Sequence, residues 1–126
     1  MNTLSYDEKT GIIRTVTDGN TSRQEWEAYV SEFLVLMQRS RARHGRVLHL
    51  VDASDNGVQP RDQFREMARS RIIHNSDEDQ TAIVIHSVAA KMQIGQLPGG
   101  SRIRFFADLE EAEAWLLEGE NAARRA

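Results

Sequence analysis

The stretch Val47-Leu48-His49-Leu50-Val51-Asp52 constrains this chain more than any other. It follows Gly45 and Arg46 and leads into Ala53-Ser54-Asp55-Asn56-Gly57. A run with apolar residues at both alternating positions reads as a strand covered on two faces, which belongs at the centre of an α/β sheet. Sheets of this kind bind ligands beyond the carboxyl ends of their strands, where the chain places Asp52, Ser54 and Asn56. Thr81-Ala82-Ile83-Val84-Ile85-His86-Ser87 is a second run of the same character.

The elements around these two runs set the topology. Residues 4–7 and 11–17 read as strands joined by Glu8-Lys9-Thr10-Gly11. Thr21 or Ser22 then caps a helix, each with Gln24 or Glu25 three residues on. Trp26, Tyr29, Val30, Phe33, Leu34 and Met37 give that helix a continuous apolar stripe. Arg39, Arg41, Arg43 and His44 gather near its end, and Gly45 suits the left-handed closing position. This cluster reads as helix-end electrostatics before it reads as a ligand site.

Pro60 suits the first turn of a second helix over residues 60–73, with Phe64, Met67 and Ala68 inward. Its other face carries Arg61, Arg65 and Arg69 in an i, i+4, i+8 row. Like charges at that spacing repel slightly, so the row is either a solvated face or a stripe that docks a partner. Residues 75–79 read as an acidic connecting loop. A short helix over 88–93, closed by Gly95, precedes a strand at 103–106. Asp108 caps a last helix, with Leu109, Ala112, Trp115 and Leu116 inward, Gly119 closing it and 120–126 frayed.

The expected fold is therefore a single α/β domain spanning 1–126: a mostly parallel central sheet with an N-terminal β-hairpin and flanking helices. At 126 residues it is long enough for one hydrophobic core. The absence of cysteine excludes disulfides, thiolate metal sites and cysteine nucleophiles, and it fits a cytoplasmic setting. No apolar run has the length of a membrane span, and the first residues do not read as a signal peptide. The net charge of −3 divides unevenly, because eight arginines lie between Arg39 and Arg71. That basic middle is too weak for nucleic acid and suits an acidic protein partner at most.

Asp52, Ser54, His86 and Ser87 all fall near the ends of the two buried strands. A Ser-His-Asp hydrolase requires a nucleophile held against its base, and the chain has no Gly-x-Ser-x-Gly elbow. His49 and His86, read as cross-strand neighbours that could stack, lack a third metal ligand. Lys91, one of two lysines, lies in the first turns of a helix after a strand. With Ser87 it could hold a phosphate or carboxylate, although a solvated lysine is the plainer reading.

Residues 80–84 as a strand, Ala90-Lys91-Met92-Gln93 in a helix, and Arg102-Ile103-Arg104-Phe105-Phe106-Ala107-Asp108 leading into Leu109-Glu110-Glu111-Ala112-Glu113-Ala114-Trp115-Leu116 resemble SpoIIAA-like (STAS-type) domains. The likeness is to the small bacterial group described as STAS/Sec14-like, and it covers residues 4–118. It implies a SpoIIAA-like fold and a non-catalytic binding or protein-interaction module with a regulatory role. It implies no cofactor, metal site or catalytic residue, and it is compatible with a homodimer. A sensor or carrier of a small apolar or anionic ligand is the alternative. A phosphorylation-switched protein like the anti-sigma-factor antagonists is the third reading. In those, the phosphorylated serine opens the helix after the central strand, whereas here that place falls near Val58 or Gln59. The residues expected to make contacts are Asp52, Ser54, Asn56, Ser87, Lys91, Arg61, Arg65 and Arg69.

Overall fold

A computed structural model describes residues 2–17, 22–54, 79–94 and 103–125. The fold is α/β, built on one five-stranded mixed sheet: β1 (Asn2–Tyr6), β2 (Ile12–Thr17), β3 (Leu48–Asp52), β4 (Gln80–Val84) and β5 (Ile103–Phe106). Spatial order equals sequence order. β1 pairs antiparallel with β2, and β2 to β5 run parallel. The run chosen from sequence as the central strand is thus the middle strand of five. The expected helix at 60–73, the residues Asn56, Arg61, Arg65 and Arg69, and Gly95 all lie outside the described residues.

The β1–β2 turn forms because Asp7 folds back on its own chain. Its Oδ1 accepts the Lys9 N–H at 2.9 Å and lies 3.5 Å from the Thr10 N–H. The Lys9 N–H in particular holds the Asp7 carboxyl below its usual range. Gly11 completes the turn at φ 76°. Its site is doubly restricted, since a Cβ there would lie 2.6 Å from the His44 ring.

Helix α1 (Arg23–His44) is bounded as its sequence dictates. The Ser22 hydroxyl accepts the Glu25 N–H at 3.1 Å, and Gly45 closes the last turn at φ 77° by donating to the Arg41 carbonyl. Tyr29, Phe33 and Met37 are buried against Ile13 and Val47, with Trp26, Val30 and Leu36 at the margins. Leu34, expected in the stripe, is 43% exposed, and the buried position one turn on from Leu36 belongs to Ser40. Ser40 donates to the Arg46 carbonyl at 2.8 Å, which ties the helix end to the chain entering β3. The buried arc is therefore rotated away from Leu34 toward Leu36 and Ser40.

Strand alternation divides the core into two layers. Ile13, Thr15, His49, Val51, Thr81, Ile83 and Phe105 share one face by register. Helix α1 packs there, and Lys91 of α2 (Val88–Ile94) lies over Phe105 on the same face. Ile12, Leu48, Leu50, Ala82 and Val84 form the opposite face, covered by α3 (Leu109–Arg125). Ala112 and Leu116 of α3 have no exposed area. Burying a leucine side chain contributes about 2–3 kcal/mol, so Leu116 is a main anchor of this layer. Leu109, expected inside, is 38% exposed, and α3 continues through Gly119 rather than ending there. Sequence order explains why two helices share a face. The two described crossovers, through α1 and through α2, join successive neighbouring strands with one hand and so pass on one side, while α3, which is not a crossover, takes the other.

Asp79 joins three elements at the amino ends of β3 and β4. Its side chain is fully enclosed; Oδ1 accepts the Val47 N–H at 2.9 Å and Oδ2 pairs with Arg41 at 2.5 Å. Arg39 and Arg43 of α1 instead pair with Glu8 of the β1–β2 turn, at 3.6 and 2.9 Å. Replacing Asp79 by Ala would leave the Val47 N–H unpaired and Arg41 without its carboxylate. Arg41 is 31% exposed and can turn to water, so the main loss is the unsatisfied buried Val47 N–H, which costs about 1–3 kcal/mol. We expect Asp79→Ala to lose stability in that range by urea unfolding, and Glu8→Ala, which removes an exposed pairing, to lose less than about 1 kcal/mol.

Candidate functional site

At the carboxyl end of the central strand, Asp52 and Ser54 come together. Asp52 Oδ1 accepts both the Ser54 backbone N–H, at 3.2 Å, and the Ser54 hydroxyl, at 2.7 Å. The motif is local: a carboxylate ending a strand captures donors two residues on and turns the chain. Ala53 between them is buried, and its N–H donates to the Val84 carbonyl, which locks the turn to β4. Asp52 therefore shapes the loop, with its second carboxylate oxygen still able to accept.

The β4 end behaves differently. β3 and β4 are adjacent, and Asp52 pairs with Val84, so His86 falls two residues beyond the paired strands. It is exposed, and its Nε2 lies 3.0 Å from the Ala107 carbonyl, which makes the ring nitrogen the donor. His49 sits at the other end of the ladder, opposite Thr81, and packs on Phe33 with ring centroids 4.4 Å apart. The two histidines do not stack, because His86 lies five positions beyond Thr81, past the end of β4.

Ser87 is half-buried, and its carbonyl accepts the Lys91 N–H at 3.0 Å in the first turn of α2. The Lys91 ammonium stands 5.5 Å from the Phe105 ring centroid, within the range of a cation–π contact. Phe105 belongs to the α1 face of the sheet, whereas alternation from Leu48 and Leu50 places Asp52 on the α3 face. The structure thus joins Asp52 to Ser54 and sets Lys91 on the other side. Among the described strands the order contains no reversal, the feature whose diverging loops open a ligand crevice in doubly wound sheets.

Between α1 and the sheet lies a polar chain that the sequence did not announce. The Thr15 hydroxyl is 2.9 Å from the Tyr29 hydroxyl and 2.8 Å from His49 Nε2, and all three residues are buried. One hydroxyl serves both neighbours, since it carries one donor and two acceptor positions. Trp26, Tyr29, Phe33 and His49 continue as a run of ring contacts with successive centroids 5.3, 5.8 and 4.4 Å apart. Burial pushes the Tyr29 phenol up to about 12, partly countered by the Thr15 hydroxyl. The only earlier sign was Thr15 itself, a polar residue at an inward position of β2 while Val16 is 46% exposed.

On the outer face of the hairpin, Arg14 of β2 lies 3.5 Å from Glu113 of α3. On the far side of α3, Arg104 of β5 stands 5.4 Å from the Trp115 ring centroid. Arg14, Leu50, Ala82 and Arg104 are one lateral row across four strands. The helix rests on the two small or aliphatic residues and is flanked by the two arginines. Among the described residues, no three His, Asp or Glu side chains gather as a metal site, and no helix is long and apolar enough to cross a membrane.

Comparison with known proteins finds no matching family model, no similar curated protein and no similar solved structure.

Tyr29 gives this region a pH signature. Its phenol ionises near pH 10 in an unfolded chain and only near 12 in the fold, so its contribution is complete below pH 10. That contribution falls as pH rises from 10 to 12, by about 2–3 kcal/mol in total. Urea unfolding of the native protein between pH 9 and 12 should show this loss, and Tyr29→Phe should show a shallower decline across that window.

Proposed function

We propose that this chain is a non-catalytic, STAS-like binding or protein-interaction module of the bacterial cytoplasm. The observation that supports the reading best is the assignment of hydrogen bonds at the strand ends. A hydrolytic nucleophile needs its hydroxyl proton directed at a base. Here the Ser54 hydroxyl donates to Asp52, and His86 donates to the Ala107 carbonyl. Each of the two residues with catalytic chemistry holds a backbone turn in place. The remaining capacity at this end, the second carboxylate oxygen of Asp52 and the acceptor positions of the Ser54 hydroxyl, suits a contact with a partner's backbone or side chains.

The turn also bears on the phosphorylation reading. A phosphate on Ser54 would add about −1.5 to −2 charges beside the Asp52 carboxylate, now 2.7 Å away. Such a group repels Asp52 and releases the turn, so modification there would change the shape of the loop after β3.

Two measurements test the proposal. Turnover of model esters and phosphoesters should be indistinguishable between the native protein, Ser54→Ala and His86→Ala. Hydrolysis by the native protein that disappears in both variants would replace the proposal with an enzyme. Native mass spectrometry of freshly purified protein should give the mass of the chain or a simple multiple of it. A retained small molecule would shift the reading to a ligand sensor or carrier.

A further inference from the structure

A groove of about 230 Å³ opens on the outer face of the hairpin, lined by Ser5, Tyr6, Asp7, Thr10, Ile12, Arg14 and Glu113. It lies toward the amino ends of the parallel strands, since Ile12 pairs with Leu48 at the start of β3. It is therefore remote from the Asp52–Ser54 turn. Cavities for drug-sized ligands begin at about 300 Å³, so this one suits a molecule of only a few heavy atoms.

Its wall divides into groups that are internally committed and groups that are not. The Asp7 carboxylate accepts the turn N–H groups, and the Thr10 hydroxyl lies 3.3 Å from the Ile12 N–H. Arg14 and Glu113 meet through one N–O approach of 3.5 Å, with both side chains 43% exposed. An exposed pair of this kind contributes about 0–1 kcal/mol, so parting it costs little. Arg14 keeps four of its five N–H donors for another acceptor. The Ser5 side chain stands beside it, because Ser5 and Arg14 are directly opposite on β1 and β2. Arg14 is fixed at its base by a strand and Glu113 by a helix anchored through its neighbours Ala112 and Leu116. Ile12, almost fully buried, supplies an apolar floor.

We infer that this groove binds a small zwitterion of the free-amino-acid class, with the carboxylate on Arg14 and the ammonium on Glu113. The wall carries two carboxylates, Asp7 and Glu113, and one guanidinium, so a lone anion meets more repulsion than attraction and a lone cation leaves Arg14 unanswered. A molecule carrying both charges at short separation satisfies Arg14 and Glu113 together. The guanidinium takes the carboxylate through two parallel N–H donors, with the Ser5 hydroxyl as a third, and a small aliphatic group rests on Ile12. The site lies at the opposite end of the sheet from the interaction surface proposed above, so its failure leaves that proposal standing.

The test is an NMR titration of ¹⁵N-labelled protein with glycine and with L-valine, using sodium acetate and methylammonium chloride as single-charge controls. Saturable shifts at the Ser5, Thr10, Arg14 and Glu113 amides are expected with millimolar-range affinity, and neither control should reproduce them. Arg14→Met and Glu113→Gln should each weaken binding at least tenfold without lowering the thermal midpoint. Arg14→Lys, which keeps the charge but not the planar fork, should weaken it as well, and serves if Arg14→Met does not fold. Absence of saturable shifts with both amino acids, equal binding of acetate, or undiminished binding by the variants would overturn the inference.

Discussion

The Asp79 carboxylate is the point on which the rest of this structure depends. Parallel strands cannot be joined by a tight turn, so each must be brought into register by elements distant in sequence. Asp79 performs this at the amino ends of β3 and β4, where it holds the Val47 N–H entering one strand and itself precedes the other. Its second oxygen takes Arg41, which fixes the last turns of α1 to the same place. The register of β3 on β4 follows, Leu48 against Gln80 through Asp52 against Val84. A fully enclosed carboxylate is costly unless its lone pairs are used, and here a backbone amide and a guanidinium use them. Arg39 and Arg43 extend the arrangement to Glu8, so the hairpin turn is gathered to the same helix end.

This concentration of ties at the amino ends leaves the carboxyl ends of β3 and β4 held by lighter devices. Asp52 captures Ser54 two residues on, and His86 reaches the Ala107 carbonyl just beyond β5. Those bonds shape loops without linking distant helices. The same division appears across the sheet. On one face α1 packs through aromatic rings and a buried Tyr29–Thr15–His49 chain. On the other, α3 rests on Leu50 and Ala82 between Arg14 and Arg104, and the outer half of the hairpin beyond it stays open. At the carboxyl ends, Ser54 and His86 spend their donors on oxygen atoms of the chain itself, which is the physical content of the functional proposal.

Much of the fold was legible because the chain states its local preferences clearly. Ser22 and Gly45 bound α1 through side-chain capping and a left-handed residue, both short-range effects that a sequence displays directly. The two apolar runs identified the central strands, since only strands covered on both faces lack alternation. What escaped the sequence depends on distant partners. Asp79 stood in a run of acidic and polar residues and read as part of a connecting loop, because nothing local indicates that Arg41 and the Val47 amide converge on it. Arg41 read as helix-end electrostatics for the same reason. Leu34 satisfied the helical period yet lies outside the buried arc, since the tilt of α1 on the sheet is decided by Tyr29, Ser40 and their contacts. At the candidate site, the pairing of Asp52 with Ser54 was within reach because it spans two residues. The separation of Lys91 from Asp52 was not, because it follows from which face each element occupies.

Native-state hydrogen exchange at the Val47 amide tests the central role of Asp79 most directly. A donor locked to an enclosed carboxylate that joins three elements should open only when the whole domain unfolds. The Val47 amide should then exchange with the protection and the steep denaturant dependence of core amides such as Leu50. Exchange through a local opening, insensitive to low denaturant and well below the global free energy of unfolding, would contradict the account.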